Sequence, residues 1–214
     1  LMHSSLMKFP DILRHFGGFG FFDLPNVLAL TQEKKATVNV TLHRWAKQGL
    51  IVPLRRGLYA FPEDMAKNPM TAERAANQIQ KDTYITGLWL LNQEGLIPEG
   101  VTEVTNATLG NPAKFDTPLG RYAYQHLQPQ GFFGFETKPD AGGYTVRIAL
   151  PEKALLDFFW WHKVEWNRTE FERWRIQDPF KRLDTARLKD FARRWDQPRL
   201  IRAAENLTGY LAAA

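Results

Sequence analysis

The sequence predicts an α+β protein in which a small helical domain ending in a β-hairpin precedes a larger mixed α/β domain. Apolar residues recur at helical spacing over residues 35–48, which indicates a helix with one buried face. Apolar runs on both sides of Arg55-Arg56-Gly57 indicate a hairpin. Beyond residue 100, short strand-like runs alternate with Gly, Pro, Asn and Asp turns, and helical spacing returns after Pro151.

The N-terminal domain is expected to span residues 1–66. Phe9–Phe16 suits a first helix, and the Asp23 carboxylate can cap a second helix that runs to Leu30. Gly49 ends the third helix, because glycine adopts the left-handed C-terminal conformation without a Cβ clash. Two short helices, a third helix and a basic hairpin, in this order, predict a winged helix-turn-helix.

A winged helix-turn-helix presents one helix to the major groove of DNA and a cationic hairpin to the phosphates. Considered alone, each polar residue of the exposed helix face or of the hairpin turn is more simply explained as an ordinary solvent-exposed residue. Taken together, they favour DNA over a winged helix used only for protein contacts. Val40, an apolar residue on this face, suits a thymine methyl group. The candidate DNA-binding residues are Lys34, Lys35, Thr37, Val40, Thr41, Arg44 and Lys47 on the helix, and Arg55 and Arg56 at the hairpin turn.

The second domain is expected at residues 67–214, with a helical tail from about residue 163. Its predicted helices are Thr71–Ile79, Ile85–Gln93, one beginning at Pro151, Thr185–Trp195 capped by Asp184, and Gln197–Leu211 capped by Asp196. Its predicted strands are Val101–Leu109, Arg121–Leu127, Gly131–Phe135 and Gly143–Leu150.

Charge and composition narrow the possible partners. The net charge of +5 is uneven: Lys and Arg outnumber Asp and Glu by nine to five in residues 1–70 and by twelve to eight in residues 160–214. The middle of the chain is acidic, with seven basic against ten acidic residues. Basic regions at both ends are compatible with a polyanionic partner. The basic tail is more simply read as a solvated helical face.

The chain has no cysteine, and no apolar run approaches the length of a membrane span, so we expect a cytoplasmic protein without membrane contact.

The sequence contains few arrangements typical of catalysis. The five histidines lack paired metal-ligand spacing, and the only serines are Ser4 and Ser5, which argues against a serine triad. Asp140 with Glu152-Lys153 resembles the acidic pair and lysine of metal-dependent nucleases. Those enzymes need the carboxylate and lysine to alternate on one strand, whereas Glu152 and Lys153 are adjacent after Pro151 and read more simply as a helix start. We therefore expect no catalytic residue, metal or cofactor, and keep a DNA-processing enzyme as the alternative.

Four ordered segments resemble AbiEi-type antitoxins and related transcriptional regulators of type IV toxin–antitoxin systems. The resemblance runs roughly from Leu24 to Trp161, and no family signature follows. The segments are Val38–Phe61 (VNVTLHRWAKQGLIVPLRRGLYAF), which resembles the family's winged helix, Tyr84–Ile97 (YITGLWLLNQEGLI), Asp116–Leu127 (DTPLGRYAYQHL) and Ile148–Trp160 (IALPEKALLDFFW).

The resemblance implies a two-domain repressor and antitoxin. Its N-terminal domain would bind double-stranded operator DNA with inverted repeats in its own promoter, as a monomer or weak dimer that pairs on the DNA. Its C-terminal domain would counteract a nucleotidyltransferase-like toxin encoded beside it, without a stable complex. A protein-interaction module is the remaining alternative of a different class.

Overall fold

The computed structural model describes residues 7–140 and 142–213. Ser4 and Ser5 lie outside this part of the chain, as do residues 1–3, 6, 141 and 214. The protein is a mixed α+β structure. Its helices are α1 (Phe9–Phe16), α2 (Leu24–Leu30), α3 (Lys35–Lys47), α4 (Ala72–Ile79), α5 (Gly87–Gln93), α6 (Pro151–Trp161), α7 (Arg168–Arg173), α8 (Thr185–Trp195) and α9 (Pro198–Ala212). Its strands are β1 (Phe21–Asp23), β2 (Val52–Arg55), β3 (Leu58–Ala60), β4 (Thr83–Ile85), β5 (Glu103–Thr108), β6 (Ala113–Thr117), β7 (Gly120–His126), β8 (Phe135–Pro139) and β9 (Thr145–Ala149).

The three N-terminal helices and the hairpin lie where the sequence predicts them. The Asp23 side chain accepts a hydrogen bond from the Asn26 N–H at 2.9 Å, which caps α2. Gly49 has a φ of 72° directly after α3, in the left-handed region that only glycine enters without strain. Both signals depend only on neighbouring residues, which is why the sequence reveals them.

A three-stranded antiparallel sheet of order β1-β3-β2 completes the N-terminal part. Its first strand, β1, was not predicted, because three residues are too few for a detectable alternation. Alternate residues point to opposite faces of a strand. On one face, Tyr59 and Phe61 pack with α1 and α3 in a small core. On the other face, Leu58 and Ala60 join the core of the larger part. The small sheet therefore lies between two hydrophobic cores.

A buried ion pair within the larger part lies against the glycine-rich turn Gly17–Gly20 of the N-terminal part. The Arg74 guanidinium on α4 and the Asp140 carboxylate after β8 are 2.7 Å apart, with only 1% and 2% of their side chains exposed. The Tyr144 ring stacks on the guanidinium at 3.9 Å, and its hydroxyl donates to the Gly18 carbonyl at 2.6 Å. Gly20 has a φ of 79°, and a Cβ there would lie 2.0 Å from the Asn68 carbonyl oxygen. The turn Gly17–Gly20 thus packs closely against the segment around Asn68 that joins the two parts.

The larger part is built on a mixed six-stranded sheet of order β6-β7-β5-β4-β9-β8. Strands β5 and β7 pair in parallel, as do β4 and β9, and the remaining pairs are antiparallel. Helix α6 packs against α5, α8 and α9, so the apolar run after Pro151 forms the centre of the helical layer. The predicted helix at Thr185–Trp195 is confirmed, with Asp184 as its N-cap.

Three predictions in the larger part are wrong. Ile85–Gln93 is not one helix, because Thr83–Ile85 pairs with β5 as a strand and the helix begins at Gly87. Gly131–Phe135 is not a strand, because a 3₁₀ turn ends at Gly131 and Phe132 has a ψ of 74°, short of an extended backbone. Asp196 does not cap α9. Its φ of 56° places it in the left-handed conformation that ends α8. Strand β6 was also not predicted.

We expect Asp140→Asn to lower the free energy of unfolding by about 3–5 kcal/mol at neutral pH, because it leaves the buried Arg74 guanidinium without a counter-charge. Burial raises the pKa of Asp140, but hydrogen bonds from the Tyr144 N–H and from Arg74, together with the Arg74 charge, outweigh it and lower the pKa below its usual value. The stabilisation from Asp140 is therefore present above the unfolded carboxyl pKa of about 3.9 and lost as pH falls through the lower folded value. Urea unfolding from pH 3 to pH 7 measures it.

Asp190→Asn is the matched control. Asp190 pairs with Arg193 at 3.1 Å, but both side chains are more than half exposed. Screening by solvent makes such a pair nearly neutral for stability, so the unfolding free energy should hardly change. Equal losses in the two variants would contradict a special role for the Arg74–Asp140 pair.

Candidate nucleic-acid interface

Helix α3 has one buried face and one exposed face, as the sequence predicts. Val38, Leu42 and Trp45 are buried, with Trp45 only 4% exposed. Val40 is 71% exposed, so the structure leaves a large apolar side chain in solvent in the middle of the outer face. Of the other predicted residues of this helix, Lys34, Lys35, Thr37, Arg44 and Lys47 are exposed, and Thr41 is half-buried.

A groove of about 520 Å³ lies between α3 and the hairpin. It brings Lys35 together with Arg55 and Arg56, and it leaves Thr37 and Arg44 outside its lining. Asn39 and His43 also line it, and sequence reasoning missed both. They follow Lys35 at intervals of four, so the helical period could have revealed this stripe. The remaining lining residues are Asp23, Leu24, Pro25, Gly57 and Tyr59.

The two hairpin arginines differ in their contacts, although the sequence treats them alike. Arg56 is exposed. Arg55 is half-buried, and its Nε donates to the Ile79 carbonyl oxygen at the end of α4 at 2.6 Å. Its Nη1 donates to the Arg56 carbonyl oxygen at 3.1 Å. Arg55 therefore fastens the hairpin to the larger part, and Arg56 is the more available of the two for an outside partner.

The basic side chains of this surface form no ion pair with the residues that the structure describes. Among the ion pairs formed by residues 7–140 and 142–213, none involves a cation of α3 or of the hairpin turn. Asp23 lines the groove, but one of its oxygens already caps α2. A positive surface without counter-ions attracts polyanions over roughly a Debye length, about 8–10 Å in physiological salt.

The residues that resembled a nuclease site have internal partners. Asp140 binds Arg74, as described above, and also accepts the Thr71 hydroxyl at 3.1 Å. Glu152 is buried in the first turn of α6, which confirms its interpretation as a helix start. It accepts the Asp184 N–H at 2.7 Å, and Arg187 lies 3.6 Å away. Both carboxylates therefore take part in contacts that hold the fold.

Lys153 forms a buried ion pair with Asp157 one turn further along α6. The second Asp157 oxygen accepts the Thr86 hydroxyl at 2.7 Å and the Tyr84 hydroxyl at 3.0 Å. Burial lowers the pKa of Lys153 and raises the pKa of Asp157, and in each case the charge of the partner opposes the shift. The Lys153 ammonium also lies 4.2 Å from the centre of the Trp195 ring. This network connects α6 with β4 and α8 inside the core.

Within residues 7–140 and 142–213, no three or more His, Asp or Glu side chains are grouped so that they could hold a metal ion. No helix in the same residues is both long enough and apolar enough to cross a membrane.

Comparison with known proteins found no matching family model and no matching curated protein.

We expect Trp45→Ala to cost about 3–5 kcal/mol of stability, because it empties the centre of the small core. Trp45 packs edge-on against Phe9 with ring centroids 5.5 Å apart, so the change also loosens α1. Val40→Ala on the same helix is the control, and it should change stability by no more than about 0.5 kcal/mol. Chemical unfolding followed by circular dichroism compares the two. A small loss in Trp45→Ala would contradict the assignment of this helix face to the core.

Proposed function

We propose that the chain is a DNA-binding transcriptional repressor whose N-terminal part acts as a winged helix-turn-helix. The observation that carries the proposal is the uncompensated basic surface formed by α3 and the hairpin. It combines an exposed helix face with an adjacent cationic groove, which is the pairing that major-groove and phosphate contacts require. The order of helices and strands in residues 7–61 also supports it.

In this proposal the outer face of α3 enters the major groove of double-stranded DNA. Arg44 is suited to a guanine edge, and Val40 is suited to a thymine methyl group. Arg56 and Lys35, on the two sides of the groove, contact phosphates and fix the register of the helix. One copy covers one half-site, so tight binding requires two copies on an inverted repeat.

We further propose that the repressor is the cytoplasmic antitoxin of a type IV toxin–antitoxin system, with a nucleotidyltransferase-like toxin as its functional partner. The resemblance of four ordered segments to AbiEi-type antitoxins supports this proposal. The internal contacts of Asp140 and Glu152 favour an antitoxin without catalysis of its own over a DNA-processing enzyme.

We expect Arg56→Ala to weaken binding to all duplex DNA and to lower the slope of log K against log salt by about one, since one phosphate contact releases about one counter-ion. Arg14→Ala is the control, because Arg14 is an exposed arginine of α1 that pairs with Asp11. Fluorescence anisotropy from low to moderate salt measures both slopes. An unchanged slope in Arg56→Ala would show that the hairpin does not contact the DNA phosphates.

Arg44→Ala tests whether α3 reads sequence. If Arg44 contacts a guanine edge, the substitution should cost about 1–3 kcal/mol at the preferred operator and much less on random DNA. Competition binding with the two DNAs separates the effects. Equal losses on both DNAs would assign Arg44 to the backbone and contradict base readout.

The antitoxin role is tested in cells with the full-length chain. An N-terminal fragment is a poor probe, because truncation after residue 66 would expose Leu58 and Ala60. We expect the Arg44→Ala/Arg56→Ala variant to lose repression of a reporter driven by its own promoter, while it still restores growth of cells expressing the nucleotidyltransferase-like neighbour. Absence of such a neighbouring gene, or failure of the wild-type chain to restore growth, would overturn the antitoxin proposal and leave the repressor proposal to the DNA-binding assays.

A further inference from the structure

A second basic groove lies in the helical tail. Its volume is about 580 Å³, within the range of small-ligand sites. The segment that follows α6 forms one wall, and the first turns of α9 form the other. The lining residues are Lys163, Val164, Glu165, Trp166, Arg199, Arg202, Ala203 and Asn206.

The cations of this groove differ from most arginines of the tail. Of the other tail arginines, Arg194 lies over the Phe133 ring and six pair with carboxylates: Arg168 with Glu172, Arg173 with Glu170, Arg175 with Glu99, Arg182 with Glu94, Arg187 with Glu152 and Arg193 with Asp190. Lys163, Arg199 and Arg202 take part in no ion pair among the described residues. Glu165 is the one carboxylate in the lining. The groove therefore keeps its positive charge, whereas carboxylates neutralise most of the arginines elsewhere in the tail.

Arg199 holds a fixed position in this groove. Its guanidinium donates to the Trp160 carbonyl oxygen at 2.9 Å and to the His162 carbonyl oxygen at 3.1 Å. Both acceptors are neutral, so these bonds orient the arginine without cancelling its charge. Burial lowers the pKa of Arg199. Arginine nevertheless stays charged in proteins, because its guanidinium is too basic to lose a proton near neutral pH.

Hydrogen bonds also hold the walls of the groove in place. The Asn206 side chain donates to the Trp166 carbonyl oxygen at 2.8 Å, which joins α9 to the facing segment. The Trp166 indole donates to the Phe159 carbonyl oxygen at 3.3 Å. Val164 is 37% exposed, and together with Ala203 it gives the groove an apolar side. A groove of this kind is formed before a ligand arrives, so binding costs little ordering entropy.

We propose that this groove is a binding site for phosphate groups, with Arg199, Arg202 and Lys163 as the ligating cations. Guanidinium and ammonium groups make their strongest hydrogen bonds to phosphate and carboxylate oxygens. The volume admits more than one phosphate, or one phosphate and an apolar body against Val164. The phosphates come from a free phosphorylated compound or from a nucleic-acid strand. This site is independent of the proposed DNA-binding surface on α3 and the hairpin.

The test is isothermal titration calorimetry of the full chain at low salt with two probes, inorganic pyrophosphate and a short single-stranded oligonucleotide. The test variant is Lys163→Glu/Arg202→Glu, which reverses two exposed charges and leaves the Arg199 contacts with α6 intact. The control is Lys81→Glu/Lys181→Glu, which makes the same change in net charge at two exposed lysines outside the groove. Circular dichroism confirms that both variants fold.

We expect the wild type and the control to bind a probe with saturation and the test variant to bind at least about tenfold more weakly, since it loses two charge-assisted hydrogen bonds and places two carboxylates beside the anion. Groove-dependent binding of pyrophosphate identifies a free phosphorylated compound as the source. If only the oligonucleotide binds in a groove-dependent way, the source of the phosphates is a nucleic-acid strand. Absence of saturable binding of either probe to the wild type, or equal binding by the two variants, overturns the proposal. The test variant should still bind duplex operator DNA, which Arg56→Ala binds more weakly. The two experiments can therefore fail independently of each other.

Discussion

The burial of both faces of the small β1-β3-β2 sheet is the constraint on which the rest of the structure depends. One face carries Tyr59 and contacts the helices of the N-terminal part, and the other carries Leu58 and Ala60 and contacts the larger part. Two parts that each bury one face of the same sheet cannot move apart without exposing apolar surface to water. The glycine-rich turn Gly17–Gly20 adds a polar contact between the same two parts, since the Gly18 carbonyl oxygen accepts the Tyr144 hydroxyl.

This arrangement affects the two elements of the candidate interface differently. Helix α3 is held by the small core alone, through Val38, Leu42 and Trp45. Leu58 and Ala60 of the hairpin pack in the core of the larger part, and the Arg55 side chain donates a hydrogen bond to the end of α4. The position of the hairpin relative to α3, and hence the width of the groove between them, therefore depends on the larger part.

The charges of the chain serve three different purposes. Buried pairs such as Lys153 with Asp157 connect elements inside the core and are fully surrounded by hydrogen-bond donors and aromatic rings. Exposed pairs along the tail neutralise most of its arginines at little cost or gain in stability. Among the cations without an ion pair in the described residues, some line two grooves, one beside α3 and one beside α9. The net charge of +5 does not distinguish these uses, because it counts all cations alike.

The sequence by itself determined the elements whose signals are local. The Asp23 cap, the Gly49 stop and the buried stripe of α3 depend on neighbours within a few residues, so they could be read directly. Tertiary structure decided the remainder. The short strand β1 exists because a distant partner, β3, completes its hydrogen bonds, and propensity alone cannot reveal such pairing. The different contacts of Arg55 and Arg56, and the groove that adds Asn39 and His43, likewise depend on segments that meet only when the chain has folded.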